Sequence, residues 1–429
     1  MRLAIIGAGW SGMAAAVEAV SAGHSVTVFE AGRTLGGRAR TLPVRLPDGR
    51  STLLDNGQHI LIGAYTETLR LMRQVGIDPA SAMLRMPLRM EFPDGRGLRL
   101  PDWPAPLDAL AGIAMAGGWS VADKGSLLRC AIGWRMRGFT CPPGTTVAEL
   151  CNGLTRRVVS ELIDPLCVSA LNLAPAQAGG QVFLRVLHDS MFGERGGSHL
   201  LLPRLALGAL FPQPAEQWIS ARGAQVRIGE RVQACAAVAS GWMVDGALFD
   251  RVVLATSATD AGRLVETAAP SLPTALRQPA MDWARRALAL EHTAITTVYA
   301  WGEGVALPCP MLALRNGRDP DGADPAQFVF DRGQLGGPAG LLAFVISAST
   351  ADRDSAQRQT LHQAKLQLGV QLQPVQTVVE KRATFACTPG LDRPAMEIAP
   401  GLRACGDYVA GPYPATLEGA VRAGVAVIR

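Results

Sequence analysis

Residues 3–12 read LAIIGAGWSG, and residues 13–30 continue MAAAVEAVSAGHSVTVFE. Residues 3–7 have the continuous hydrophobicity of a buried parallel strand. Ala14, Val17 and Val20, with Ala15 and Ala16, suit a helix closed by Gly23. Residues 24–29 form a second strand ending in Glu30. Between strand and helix stands G-x-G-x-x-G: Gly7, Ala8, Gly9, Trp10, Ser11, Gly12. Gly7 permits a tight strand-to-helix turn, Gly9 lets the backbone approach a pyrophosphate, and Gly12 lets the helix pack closely on the strand. The helix start supplies unpaired N–H groups and a positive dipole end. Glu30 lies 23 residues after Gly7, where a carboxylate accepts hydrogen bonds from a ribose diol. The pattern predicts a dinucleotide site on a βαβ unit.

The next residues refine that reading. Leu35-Gly36-Gly37-Arg38 follows Glu30 within EAGRTLGGRAR. An arginine beside two glycines offers planar donors with open access to phosphate. Farther on, 51–62 read STLLDNGQHILI, and Asn56-Gly57 between apolar runs predicts a hairpin turn. Residues 66–200 carry helical patterns, as in TETLRLMRQVG and RRVVSELIDPLCVSALNL. Short strands are expected from 224 to 256, and again at ITTVYAW, FVFD and GLLAFVIS between 292 and 350. Near the end, Leu402–Cys405 reads as a last strand. Gly406-Asp407 and a proline-rich loop lead into ATLEGAVRAGVAVI, a helix by its apolar spacing.

The LGGR motif resembles the second glycine motif of the FAD-dependent amine oxidase and carotenoid desaturase superfamily. That resemblance implies FAD as cofactor, with Gly37 and Arg38 beside the pyrophosphate. It implies that the segment ending in Gly57 passes near the flavin ring and that the backbone of Val232 touches the adenine. Asp407, after Gly406, would bond the ribityl chain or adjacent phosphate, and a helix start near Thr416 would face the flavin's pyrimidine end. The implied fold is α/β: a Rossmann-like FAD domain from 1–65, 201–262 and 385–429, and a mixed helical and sheet substrate domain from 66–200 and 263–384.

DNGQHILIGAY (55–65) and GDYVAGPYPATLEGAVRAG (406–424) narrow the match. They resemble the squalene-associated hydroxysqualene dehydroxylases of bacterial hopanoid biosynthesis. The implied reaction converts hydroxysqualene to squalene with reduced FAD, and the implied partners are a long apolar isoprenoid and an external electron donor, since no second G-x-G-x-x-G occurs. Loss of an allylic hydroxyl needs a proton donor. The candidates are His59, whose ordinary pKa lies near neutrality, then Tyr408 and Tyr413. Asp55 is expected to be a turn residue. A carotenoid or polyprenyl desaturase would run the opposite direction. An amine oxidase would want a lysine near the flavin, for which Lys381 is the nearest offer, and a cage of aromatics, which make up 5% of the chain. A non-catalytic flavin or prenyl escort would keep the site without turnover.

Composition bounds these readings. The 429 residues suit two domains. Of 41 basic residues 38 are arginine, scattered along the chain, so no basic block points to nucleic acid. Eight cysteines without a CxxC pair read as reduced thiols, with no metal site expected. Met1-Arg2-Leu3 runs directly into the first strand, so the N-terminus is expected to belong to the fold. No apolar run reaches spanning length, and a cytoplasmic location is expected, with peripheral contact to the membrane's inner face as an option. The tracts 104–119 and 199–211 are expected to be core, with a lipid-facing surface as the alternative.

Overall fold

A computed structural model describes residues 1–191, 196–315 and 324–429. Residues 192–195 and 316–323, inside two segments read above, lie outside the described residues. A six-stranded sheet runs in the order Gln225–Ile228, Ser25–Glu30, Arg2–Ile6, Arg251–Leu254, Leu402–Ala404, Glu397–Ala399. The first five are parallel and the last is antiparallel. Leu3, Ala4, Ile5 and Ile6 are all buried, because both faces of this sheet are covered. On one face lie the helices Trp10–Ser21 and Leu417–Ala426, packed on each other. The other carries helices Ala258–Ala268 and Thr274–Leu288 and a small antiparallel sheet between Cys235 and Phe249.

The second large sheet is antiparallel, in the order Met311–Ala313, Phe328–Asp331, Leu341–Ile346, His292–Trp301, Gln373–Phe385. Alternation explains its unbroken apolar run at 341–346. Leu342, Phe344 and Ile346 pack toward helix Arg353–Leu368, while Leu341, Ala343 and Val345 face the helical segments of 107–191. Each fully buried side chain of this size contributes about 1.5–3 kcal/mol. Residues 66–191 are mainly helical as expected, interrupted by short strands at Met83–Met86, Arg89–Glu91 and Gly97–Arg99.

Two expectations fail. Asn56-Gly57 is not a hairpin turn. Strand Thr41–Arg45 pairs with Ser51–Asp55 around Asp48-Gly49, with Gly49 at φ +88°, while Leu61–Ile62 pairs with Leu200 and Leu201. Asn56 is drawn away by longer-range bonds: its side chain accepts from Arg40 N–H (3.0 Å) and donates to Arg38 O (2.7 Å). The tract 104–119 is not simply core. Helix Leu107–Met115 buries Asp108, Ala109 and Gly112 but leaves Leu107, Leu110 and Met115 exposed. The tract 199–211 is mostly core, with strand Leu200–Pro203 and Leu207, Leu210 and Phe211 buried, but Leu205 is exposed. All eight cysteines are unpaired, six of them buried. No described helix is long and apolar enough to cross a membrane.

Candidate active site

The carboxyl ends of the parallel strands open into a cavity of about 830 Å³ that runs on beneath the antiparallel sheet. Its nucleotide end is built by two glycine loops in contact. Gly36 N–H donates to Ala8 O (3.0 Å), and Gly9 bridges Gly36 in parallel. At Gly7, φ is +109° and a Cβ would lie 2.6 Å from Ala255 O; at Gly12 it would lie 1.9 Å from Gly7 O. These two glycines serve the turn and the strand–helix contact. A Cβ on Gly9 would meet nothing nearer than Gly37 Cα at 3.9 Å, and Gly9 lines the cavity. Its bare backbone thus leaves space for a ligand rather than for protein.

Glu30 lines the same end and holds both loops. It accepts from Ala8 N–H (2.8 Å) and Gly32 N–H (2.6 Å). A carboxylate has about four acceptor sites, so two remain for ribose hydroxyls. Arg38 pairs with Asp407 and donates to Ala383 O (2.8 Å). The Asp407 carboxylate raises the Arg38 pKa further, and the 38% of its side chain left open borders the cavity. Gly37, Gly57, Val232, Gly406 and Thr416 also line it. Thr416 caps helix Leu417–Ala426 by accepting from Gly419 N–H (2.9 Å), and Ala415 before it is left-handed at φ +57°. A backbone bent this way at a helix start is strain held by its surroundings. Ala415, Thr416 and Leu417 all line the cavity, so the helix starts at its wall. Bare Gly9, the open acceptors of Glu30 and this helix start fit a dinucleotide.

Of the predicted residues, Ala8 and Gly12 build the loop without bordering the cavity, and Tyr408 does not reach it. Tyr408 is 2% exposed, its hydroxyl has no hydrogen-bond partner among the described residues, and its ring lies over Gly406. It is core, because Gly406 leaves room for the ring to fold inward. His59 does border the cavity. Its Nδ1 lies 2.8 Å from Gly57 O. A carbonyl only accepts, so the proton sits on Nδ1 and Nε2 offers a lone pair. Burial lowers the His59 pKa, so the neutral ring prevails. Asp55 ends its strand, accepting from Leu207 N–H (2.8 Å), and burial raises its pKa. Tyr413 borders the cavity half-buried, its hydroxyl interacting with Asp189 and Arg185. Burial, then Asp189, raises its pKa. Lys381 is exposed.

Among the lining residues that the sequence reading did not name, three polar ones stand out. Glu380 borders the cavity within 3.4 Å of Asn56 Nδ2. Asp189, near the end of helix Gly180–Met191, meets Tyr413. Asn172 takes the left-handed C-cap of Asp164–Leu171 at φ +52°. Its side chain binds Thr293 Oγ1 (2.8 Å), Thr384 Oγ1 (3.0 Å) and Ala348 N–H (2.5 Å), tying the helices to the sheet floor. An Asn after an apolar helix is a readable C-cap signal. The other two are charges on amphipathic elements, with no local signal of their own.

Family comparison decides the class. The model of the flavin containing amine oxidoreductase family matches residues 10–427. The chain belongs to this family. FAD is its cofactor. The hydroxysqualene dehydroxylase of Sinorhizobium fredii is 26% identical over 98% of this family member and 95% of the relative. That of Rhodopseudomonas palustris is 27% identical over 98% and 96%. Among solved structures, an oxidoreductase from Methanosarcina mazei superposes with a TM-score of 0.70 at 17% identity, covering 100% of this chain and 99% of the other. The amine-oxidase-like fold expected from the sequence is the observed one.

Proposed function

We propose that the protein is an FAD-dependent hydroxysqualene dehydroxylase, reducing an allylic C30 alcohol to squalene. The observation that carries this is the similarity, along nearly the whole chain, to two proteins of that name. The apolar end of the cavity supports it. Leu88, Met90, Leu166, Leu187, Phe328 and Phe330 line it, a wall suited to hydrocarbon and to keeping water from an allylic cation. The balance is alcohol plus two electrons and two protons giving hydrocarbon and water. Reduced FAD, when bound, supplies the hydride.

The chain's own work is to hold the alcohol against the dinucleotide end and to protonate the departing hydroxyl. Neutral His59 presents an acceptor, whereas Tyr413 presents an O–H beside Asp189 and Arg185. We therefore assign the proton to Tyr413 and give His59 an orienting role. The proposal keeps the division of the chain, with 1–65, 201–262 and 385–429 around the cofactor and 66–200 and 263–384 over the substrate. It also keeps an external electron donor and a peripheral place on the cytoplasmic membrane.

The test is anaerobic mixing of photoreduced holoenzyme with hydroxysqualene, following flavin absorbance and lipid product together. Re-oxidation matched by squalene is expected. Tyr413→Phe should slow this single turnover by about 10²–10⁴-fold, the general-acid range, and His59→Gln by about tenfold or less. The reverse ranking returns the proton to His59. Reduced enzyme that never re-oxidises, while oxidised enzyme desaturates a polyprene, overturns the direction and favours a desaturase.

A further inference from the structure

Sixteen large hydrophobic side chains are exposed among the described residues, and eight of them fall between Trp103 and Met136. They are ordered. In helix Val121–Met136 the exposed set is Val121, Leu128, Ile132 and Met136. Spacings of seven, four and four put these on one stripe. Leu127 and Trp134 lie on the opposite face and are buried. The helix is thus apolar on both sides, one covered by protein and one by nothing among the described residues. Helix Leu107–Met115 adds Leu107, Leu110 and Met115. Lys124 Nζ donates to Ala114 O (2.6 Å), holding the two helices together.

The exposed charge around this stripe is mainly basic. From 102 to 137 the acids are Asp108 and Asp123, both 6% exposed, and Asp102, exposed at the edge and 3.3 Å from His199 Nε2. The bases are Lys124, Arg129, Arg135 and Arg137, and the three arginines are exposed. Two copies meeting face to face would bring Arg129 and Arg137 of each together, and Asp102, the one exposed acid of this segment, already faces His199. An anionic bilayer suits both features at once: acyl chains for the stripe and phosphates for Arg129 and Arg137. The face is also close to the cavity. Helix Leu107–Met115 lies on strand Gly97–Arg99, which pairs with Arg89–Glu91, and Leu88 and Met90 of that ribbon line the cavity.

We propose that the outer face of helices Leu107–Met115 and Val121–Met136 is a docking surface for an anionic lipid bilayer. Its purpose, delivery of a lipid-dissolved substrate, rests on the function proposed above; its evidence does not. The test is flotation of the holoprotein with phosphatidylcholine vesicles and with equimolar phosphatidylcholine–phosphatidylglycerol vesicles. Wild type should float with the mixed vesicles and less with the neutral ones. The triple variant Val121→Ser, Ile132→Ser, Met136→Ser should lose about tenfold or more of its partition, with flavin content and thermal midpoint unchanged. Met281→Ser with Leu366→Ser, exposed apolar positions elsewhere, should float as wild type does. Wild type remaining at the bottom of the gradient, or a triple variant that floats equally, overturns the proposal. So does a wild-type dimer that the triple variant splits, which would make the face an interface between copies. Flotation requires no turnover, so a protein that floats but ignores hydroxysqualene overturns only the function.

Discussion

At the scale of single residues, Glu30 and His59 show how position decides what a side chain does. Glu30 spends one acceptor on each glycine loop, at Ala8 and Gly32. Replacement by alanine would loosen the loops as well as the ligand, so Glu30→Gln is the sharper variant. It keeps one oxygen acceptor but loses the charge. FAD affinity should fall by about 1.5–3 kcal/mol, roughly 10- to 150-fold, in a flavin titration of the apoprotein. His59 carries a pH signature. Its folded pKa lies below the ordinary 6.5, burial being the main cause. The unfolded chain therefore binds more protons, and folding loses stability as pH falls below about 6.5 toward the lowered value. The thermal midpoint of the apoprotein should drop across that window, and His59→Gln should reduce the drop. An identical pH slope in both proteins would show that His59 is not buried neutral.

Elements meet most closely where the C-terminal helix crosses the first. A Cβ on Gly424 would lie 2.2 Å from Ser11 O and 2.9 Å from Ala14 Cβ. The backbones touch because Gly424 and the alanines of Trp10–Ser21 keep the interface thin. Glu418, fully buried in the same helix, accepts from Thr68 N–H (2.9 Å) and Thr68 Oγ1 (2.6 Å), anchoring helix Thr66–Gln74 as well. Gly424→Val should therefore force the helices apart, at about 1–3 kcal/mol of overpacking or more, read as a fall in the urea midpoint. Since Leu417 and Ala420 line the cavity, FAD retention should weaken with it. A variant as stable as wild type would mean that the helices can slide without loss.

Over the whole molecule, one cavity is walled by chain from both ends and the middle. Gly9, Val232 and Asp407 share one cavity across almost the full length of sequence. Binding at such a junction stabilises the folded state by mass action, by about 2.7 kcal/mol at one hundred times Kd. The thermal midpoint should rise with added FAD. The association is expected to be non-covalent. Cys405, the cysteine nearest the matched motifs, is fully buried, its thiol pushed up to about 12, and it does not line the cavity. Acid precipitation should release the yellow chromophore into the supernatant. Flavin left in the pellet would contradict this.

Local pattern in the sequence was enough for the two glycine loops that meet at the cavity. G-x-G-x-x-G, its flanking strands, Glu30 and the LGGR loop are read within 38 residues, because a tight turn and a helix start are made by neighbours in the chain. The nature of the second sheet was also legible from its short apolar strands. Its two-sided burial was not, since helix Arg353–Leu368 covers one face from a distance in sequence. Likewise Asn56-Gly57 has the letters of a hairpin, but bonds to Arg38 and Arg40 outbid the local turn. Tyr408 and Tyr413 stand five residues apart in one loop, and only packing sends the first into the core and the second to the cavity. The tract at 104–119 is apolar on any reading. Which of its side chains remain uncovered depends on what folds against them, and that is decided by the tertiary structure alone.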